Sequence, residues 1–212
     1  MTLDDFLPFM LVDLPGCPDP TVKQALLLSA NEFCRESHCW DEVRDPLTLT
    51  ANVRDYDLDG PSGGMCLLVR DVWMGARALR PTTMQELQLV IPKWRETFTN
   101  DPTYYNAAID RQQISFYPTP DGTSTNQVVI RAVYVPTLSA TSLPDFLGDR
   151  YLEYVVAGAK ARLMATPGQT YSKPDAVAFH RERFDNGIAL AKAEMMHDRV
   201  QGLVTVRPRQ FI

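Results

Sequence analysis

The sequence of 212 residues predicts an α+β protein in which helices from both ends of the chain form one bundle and a long β-rich segment is inserted between them. Three observations support this fold class. Apolar residues recur every three or four positions near the start of the chain and again in its last third. Between these segments the apolar residues alternate. Residues 201–212 alternate in polarity, contain Pro208 and end on Phe211 and Ile212, so they predict an extended C-terminal arm.

The N-terminal part of the bundle is assigned to residues 1–39. In "PDPTVKQALLLSANEFCRESH" a helix is predicted from about 20 to 37. Asp19 is expected to cap this helix, and Pro20 fits its first turn. The apolar stripe that includes Leu26 and Phe33 is one-sided, so the helix is expected to pack against other elements.

The inserted segment, residues 40–140, is predicted to form antiparallel strands. "LTLTANVR" (47–54) alternates as a half-buried strand, and "MCLLVRDVW" (65–73) is expected to turn near Gly75 into "ARAL". "QISFY" (113–117) and "QVVIRAVYV" (127–135) follow, joined by "PTPDGTSTN". A short helix is predicted at "TTMQELQLV", where Thr83 and Glu86 have capping-box spacing.

Residues 141–200 are predicted to complete the bundle with two helices. The first carries Tyr151 and Val155 on its apolar stripe, and the second, from about 174 to 199, carries Phe184 and Ile188. Lysines and arginines interleaved with acids on both helices predict solvated or inter-subunit faces. Three helices give a thin core, which favours help from neighbouring subunits.

Composition excludes several classes of protein. The chain is 45% hydrophobic and 22% charged with a net charge of −5, as in an ordinary soluble globular protein that offers DNA no general attraction. No segment reaches the ~18 apolar residues of a membrane span, and the acidic N-terminus is unlike a signal peptide, so a cytosolic origin is expected. The cysteines are expected to be free buried thiols. They are Cys17, Cys34, Cys39 and Cys66.

Catalytic and metal-binding patterns are sparse. The common nucleophile, phosphate-loop, dinucleotide and zinc-protease motifs are absent, so no catalytic residue, metal or cofactor is assigned. His38 and His180 are interpreted as a helix-end and a helix-stripe residue, and His197 as a helix-end residue. The acid pairs, Asp41 with Glu42 among them, are expected to cap or to be solvated. The strand aromatics are expected to pack in the core, and they are Tyr104, Tyr105, Phe116, Tyr117 and Tyr134.

The segment "DYDLDG" begins like an EF-hand calcium loop. Asp55, Asp57 and Asp59 occupy positions one, three and five, and a glycine follows at six. Position seven is Pro61, position twelve is Cys66 rather than glutamate, and both flanks are strand-like. We therefore expect a strand that bulges at Asp55, with the three carboxylates on one solvated strand end that discourages unwanted strand pairing.

Several segments together resemble the head-to-tail adaptor proteins of tailed bacteriophages. They are "FLPFMLVDLPGCPDPTVKQALLLSANEFCRESHCW", "ISFYPTPDG" and "LPDFLGDRYLEYVVAGAKARLMATPGQTYSKPDAVAFHRERFDNGIALAKAEM". The resemblance covers about residues 8 to 197. It implies a structural protein, made in the host cytoplasm and located at the head–tail junction of the virion. Such proteins form a ring, usually of twelve subunits, that docks beneath the portal protein, binds the next tail or nozzle protein and lets DNA pass transiently through its lumen.

Two sets of residues are assigned roles, the first from the resemblance and the second, which the resemblance does not match residue by residue, from its apolar and extended pattern. The ring-wall helices are represented by Phe33, Tyr151, Val155, Phe184 and Ile188. The extended arm of residues 201–212 is predicted to dock on the portal through Leu203, Val204, Val206, Arg207, Arg209, Phe211 and Ile212. A negative wall would suit a conduit through which DNA slides. The alternative is a small metal-dependent phage hydrolase or nuclease component that uses Asp55, Asp57 and Asp59.

Overall fold

The computed structural model describes residues 1–122 and 127–196, and its fold is α+β, as predicted. The helices are α1 (Leu7–Leu11), α2 (Asp19–Ser37), α3 (Met84–Val90), α4 (Asp145–Met164) and α5 (Pro174–Met196). Short 3-10 helices cover Leu3–Phe6 and Ile109–Arg111. The predicted bounds of α2 and the predicted start of α5 are confirmed, and the predicted last turn of α5 lies outside the described residues.

Helix α2 ends where its sequence stops favouring helical backbone. His38 adopts a left-handed conformation with φ of 56°, and its N–H donates to the carbonyl of Cys34 at 2.9 Å. At the other end Pro18 precedes the first helical residue. Asp19 therefore lies inside the first turn instead of capping it, and there the helix dipole favours its carboxylate.

Three long helices pack against one another and against a sheet. α2, α4 and α5 are in mutual contact, and α2 also contacts the strand Gln127–Pro136 of the first sheet. Where α4 crosses α2, the buried Ser29 hydroxyl donates to the carbonyl of Val155 at 2.7 Å. Buried side chains of helices and sheets belong to one continuous hydrophobic cluster. The division of the chain into a ring wall (1–39 and 141–200) and an insertion (40–140) stays a prediction.

The first sheet is antiparallel and is centred on the strand predicted at 127–135. Its strands are β1 (Asp41–Val43), β2 (Leu47–Thr48), β4 (Gly64–Met74), β5 (Arg77–Ala78) and β9 (Gln127–Pro136). The order is β1-β9-β4-β5, and β2 also pairs with β9. Gly75, with φ of 58°, forms the predicted turn after β4.

The second sheet contains β3 (Asp55–Asp57), β6 (Arg80–Pro81), β7 (Tyr104–Ala108) and β8 (Gln113–Tyr117) in the order β3-β8-β7-β6. The strands at 113–117 and 127–135, expected to follow each other in antiparallel pairing, lie in different sheets. The pairing of β6 with β7 is parallel. α3 begins as predicted, because the Thr83 hydroxyl accepts from the N–H of Glu86 at 3.2 Å.

The strand predicted over 47–54 is wrong beyond Thr48. Asn52 has φ of 60°, and the N–H of Val53 donates to the carbonyl of Thr50 at 3.2 Å, so the chain turns here. It then enters β3 in the second sheet. The change of apolar phase at Asp55 therefore marks a crossing between two sheets, where we expected a bulge within one strand.

A side chain joins the two sheets at one strand edge. Gln112, with φ of 51°, projects its amide toward the backbone of β4. Its Oε1 accepts from the N–H of Cys66 at 2.7 Å, and its Nε2 donates to the carbonyl of Cys66 at 2.9 Å. The amide thus provides the pair of hydrogen bonds that a neighbouring strand would provide.

Candidate assembly surfaces

The residues predicted to represent the ring-wall helices are all buried inside the chain. Each is at most 7% exposed, and the five are Phe33, Tyr151, Val155, Phe184 and Ile188. The ring of Phe33 lies 5.1 Å from that of Tyr151 and 6.0 Å from that of Phe184, measured between centroids. These side chains hold α2, α4 and α5 together. Any contact of these helices with a neighbouring subunit is made by other residues, and the ring wall itself stays a prediction.

Many charges on the long helices are engaged within the chain. Glu32 on α2 forms ion pairs with Arg162 on α4 and Arg181 on α5, and Arg183 on α5 pairs with Glu153 on α4. Partly exposed pairs of this kind contribute at most about 1 kcal/mol each. They help to fix the relative positions of the three helices, and the paired side chains remain 25–69% exposed, so the solvated or inter-subunit faces stay a prediction.

A cleft between α1, α4 and α5 exposes apolar side chains. It is lined by Phe9, Leu152 and Val156, with Lys160 and His180 beside them, and encloses about 150 Å³. Burial, together with the charge of Lys160, lowers the pKa of His180 below its ordinary value. The lowered pKa favours the neutral imidazole beside the apolar lining of the cleft.

The surface around this cleft carries further apolar groups. Phe9 is 49% exposed, Val12 on the end of α1 is 80% exposed and Phe179 on α5 is 60% exposed. The ring of Phe179 stacks edge-on against His180 with centroids 5.3 Å apart. Phe9 and Val12 are three residues apart on one helical turn, and Phe179 contacts His180, which lines the cleft together with Phe9. Exposed apolar groups that lie together mark sites of protein–protein contact. We refer to Phe9, Val12 and Phe179 as the α1–α5 apolar surface.

A sequence profile of the SU10 adaptor protein family matches residues 1–208. The chain belongs to this family. No curated protein matches the chain. As an SU10 adaptor it is a phage structural protein, a component of the virion that assembles at the head–tail junction with other virion proteins. None of the helices described for this SU10 adaptor is long and apolar enough to cross a membrane.

The aspartates of "DYDLDG" do not form a metal centre in the described part of this SU10 adaptor. Asp55 is occupied by Arg54, at 3.1 Å, and by the Ser115 hydroxyl, at 2.6 Å, and the Arg54 hydrogen bond lowers the pKa of its carboxyl. Residues 55–57 form β3, and no calcium-binding helix flanks them. In residues 1–122 and 127–196 no group of three His, Cys, Asp or Glu side chains is placed to hold a metal ion.

Asp41 has a role that the sequence interpretation missed. Its side chain, in β1, is 3% exposed and was expected to cap or to be solvated. Arg131 Nε on β9 donates to its Oδ1 at 2.9 Å. Arg70 Nε on β4 lies 2.9 Å from its Oδ2, but the N–H is not directed at that oxygen, so the contact is purely electrostatic. The sequence does carry a sign of this pair, because Arg131 interrupts the apolar run "QVVIRAVYV". An arginine in a central strand needs a carboxylate partner.

The cysteines and most strand aromatics are buried in the core. All four cysteines are free and buried, as predicted. Tyr105, Phe116, Tyr117 and Tyr134 are buried, which confirms core packing for these aromatics. Tyr104 packs beside a small separate core of Leu87, Trp94 and Tyr117 under α3. The predicted portal-docking arm, 201–212, and His197 lie outside the described residues.

A second groove lies between the two sheets, next to the aspartates. Its apolar lining comes from Leu47, Leu58, Ile130 and Tyr134. Its charged lining comes from Arg44, Asp45, Asp57 and Asp59. It encloses about 150 Å³. We refer to this site as the inter-sheet groove.

Proposed function

We propose that this SU10 adaptor forms a ring, of twelve subunits, beneath the portal at the head–tail junction, and that the ring binds the next tail or nozzle protein while DNA passes through its lumen. The observation that carries the proposal is the family match over residues 1–208. That match includes both long C-terminal helices and most of the arm, so it covers the parts to which the assembly roles are assigned.

The α1–α5 apolar surface supports contact between neighbouring subunits. Phe9, Val12 and Phe179 are exposed in the single chain, whereas the large side chains that join α2, α4 and α5 are buried. Burying exposed apolar area contributes about 25 cal/mol per Å², so covering three such side chains is favourable for association. A heterologous contact of this surface with a different surface of the next copy generates a closed ring when the rotation between successive copies closes.

The charge distribution supports passage of DNA without retention. The net charge of the chain is −5, and residues 197–212 carry three arginines against one aspartate, so residues 1–196 are more negative than the whole chain. A lumen lined by such a surface would repel phosphates and release few counterions on contact with DNA. The arm is proposed to dock on the portal, because an extended segment with alternating apolar residues gains stability by adding to a sheet or filling a groove.

The proposal is tested by measuring the mass and the symmetry of the assembly. The full chain, alone and mixed with purified portal, is analysed by mass photometry and electron cryo-microscopy. We expect a rotationally symmetric ring on the portal. Val12→Asp with Phe179→Asp should lower the ring fraction at least tenfold, whereas Leu138→Asp, at a residue 64% exposed, is the matched control and should not. Particles that contain the chain and portal without a ring would refute the proposal.

The arm has its own test. Removal of residues 201–212 should weaken portal binding, measured by the dissociation constant of the adaptor–portal complex, and should leave the thermal unfolding midpoint unchanged. Full portal affinity of the shortened chain would show that the arm does not dock there. The hydrolase alternative is not proposed, since Asp55 is engaged by Arg54 and Ser115 and the family is one of adaptor proteins.

A further inference from the structure

The inter-sheet groove has the chemistry of a receptor for a basic segment with an apolar tip. Leu58, Ile130 and Tyr134, each at most 6% exposed, surround a space of about 150 Å³ together with Leu47. An enclosed apolar cavity of this volume holds one benzene ring, so this open groove has room for one group of that size. The groove is therefore a socket for a single aromatic or branched side chain and is too small for a folded domain.

Unpaired carboxylates rim the socket. Asp57 and Asp59 come from β3 and the segment that follows it, and Asp45 from the connection between β1 and β2. Among the residues that the structure describes, none of these three carboxylates is in an ion pair. Arg44 is the cation that shares the lining. The rim thus has a net negative charge that favours an arginine-bearing occupant.

The C-terminal arm has the matching chemistry. Phe211 and Ile212 form an apolar tip, and Arg207 and Arg209 lie two and four residues before Phe211. With residues at alternate positions on one side of an extended segment, Arg207, Arg209 and Phe211 share one side. The arm therefore offers two guanidinium groups and one ring on a single face. The guanidinium groups are opposite in charge to the rim, and the ring has the size of the socket.

We propose that, before the portal is bound, the arm docks in the inter-sheet groove of its own chain, with Phe211 in the socket and Arg207 and Arg209 against Asp57 and Asp59. This inference rests on the proposed function for its consequence, which is that the portal must compete for an arm already held. An arm held in this way is shielded from other partners while subunits accumulate, and it is released when the portal offers a better site.

The length of the arm permits docking within one chain. From Met196, where the described part of α5 ends, 16 residues remain. Extended, they reach about 50 Å at ~3.3 Å per residue. Met196 lies beside His38, and Arg44 of the groove is six residues after His38, at most about 20 Å away along the chain, so the groove is within reach of the arm. A short tether also gives an effective concentration in the ~millimolar range, well above that of a second copy in dilute solution.

Hydrogen exchange on the full chain tests the proposal. We expect the amides of residues 203–212 to exchange on the order of tenfold more slowly than in an unstructured peptide of the same sequence. The double variant Asp57→Asn with Asp59→Asn, and separately Arg207→Gln with Arg209→Gln, should abolish this protection. Asp110→Asn with Asp121→Asn removes two exposed charges outside the groove and is the matched control, with protection retained.

Three outcomes would overturn the proposal. They are an arm that exchanges at the peptide rate in the unmodified chain, protection that survives in the Asp57/Asp59 variant, and protection that increases with protein concentration, which would assign the arm to a second copy. The Asp57/Asp59 variant should also bind portal more tightly, because its arm is free. If the arm is unprotected but its removal still weakens portal binding, this inference fails and the proposed function stands. If the arm is protected but no ring forms on the portal, the proposed function fails and docking of the arm in the groove stands.

Discussion

Substitution of Gly158 by alanine tests the close packing of the three long helices. Gly158 lies on α4, where α2 and α5 both approach. A Cβ atom at this position would overlap the ring of Phe184, with Cε2 2.6 Å away, and the hydroxyl of Ser29. Neither can move without cost, because the ring is fully buried and the hydroxyl is bonded to the carbonyl of Val155. We expect Gly158→Ala to force α2 or α5 away from α4.

The expected change in stability is the sum of opposing contributions. Alanine is favoured over glycine inside a helix by about 1 kcal/mol. Inserting a methyl group into a close-packed core costs about 1–3 kcal/mol. Loss of the Ser29 hydrogen bond adds about 1 kcal/mol. The net effect is a destabilisation of about 1–3 kcal/mol, which for a chain of this size lowers the unfolding midpoint by about 2–4 °C per kcal/mol.

Thermal unfolding followed by circular dichroism measures this change. Ala189→Gly, at an exposed position in α5, is the control for propensity alone and should cost about 1 kcal/mol. In a Ser29→Ala background one of the two overlaps is absent, so Gly158→Ala should cost less there than in the unmodified chain. A Gly158→Ala variant that is more stable than the unmodified chain would mean that the helices are not in this close contact.

Three further predictions concern buried and paired groups. Asp41→Asn should lower the free energy of unfolding in urea by about 2 kcal/mol, because it leaves Arg131 without its carboxylate, while Asp110→Asn should change it by less than about 0.5 kcal/mol. The Lys160 hydrogen bond lowers the pKa of the Asp13 carboxyl in the folded chain. The stability from this pair is therefore present above the pKa of Asp13 in the unfolded chain and is lost as the pH falls through its pKa in the folded chain. Asp13→Asn should therefore flatten the decrease of the unfolding midpoint between about pH 5 and pH 3. Burial raises the pKa of Cys66 to about 11, and all four cysteine thiols are buried. A disulfide reagent at pH 8 should therefore label none of the four in the native chain within minutes and all four in urea. Rapid labelling of the native chain would contradict their burial.

The helices were predictable because their signals are local. In α2, Leu26 and Phe33 lie on one face by spacing alone, and Pro20 and the left-handed His38 delimit it. The strands were harder, because pairing joins residues far apart in sequence. The residues 47–54 alternate well enough for one strand, but the left-handed Asn52 divides them between two sheets. Alternation identifies a half-buried strand and does not say which sheet it joins.

The assembly surfaces show a similar limit. Phe33 and Tyr151 are apolar and periodic, and the same pattern fits a face packed inside the chain or against a neighbour; the structure shows that it is internal. Val12 and Phe179, which are exposed, stand in segments with no separate sequence signal. Asp41 was misjudged because its partners, Arg70 and Arg131, are 29 and 90 residues away. Whether a side chain is buried depends on residues that are distant in sequence, and a single sequence shows only the pattern of its near neighbours.

The amide of Gln112 has a consequence for crowding. A virion component meets other copies and other virion proteins at very high local concentration, where any open strand edge is an opportunity for wrong pairing. At Cys66 the backbone N–H and carbonyl of β4 are already hydrogen-bonded to Gln112, so they are not free to pair with an approaching strand. One side chain thus prevents a further strand from pairing at this point. Its replacement by alanine would reopen a site for misassembly without removing any part of the core.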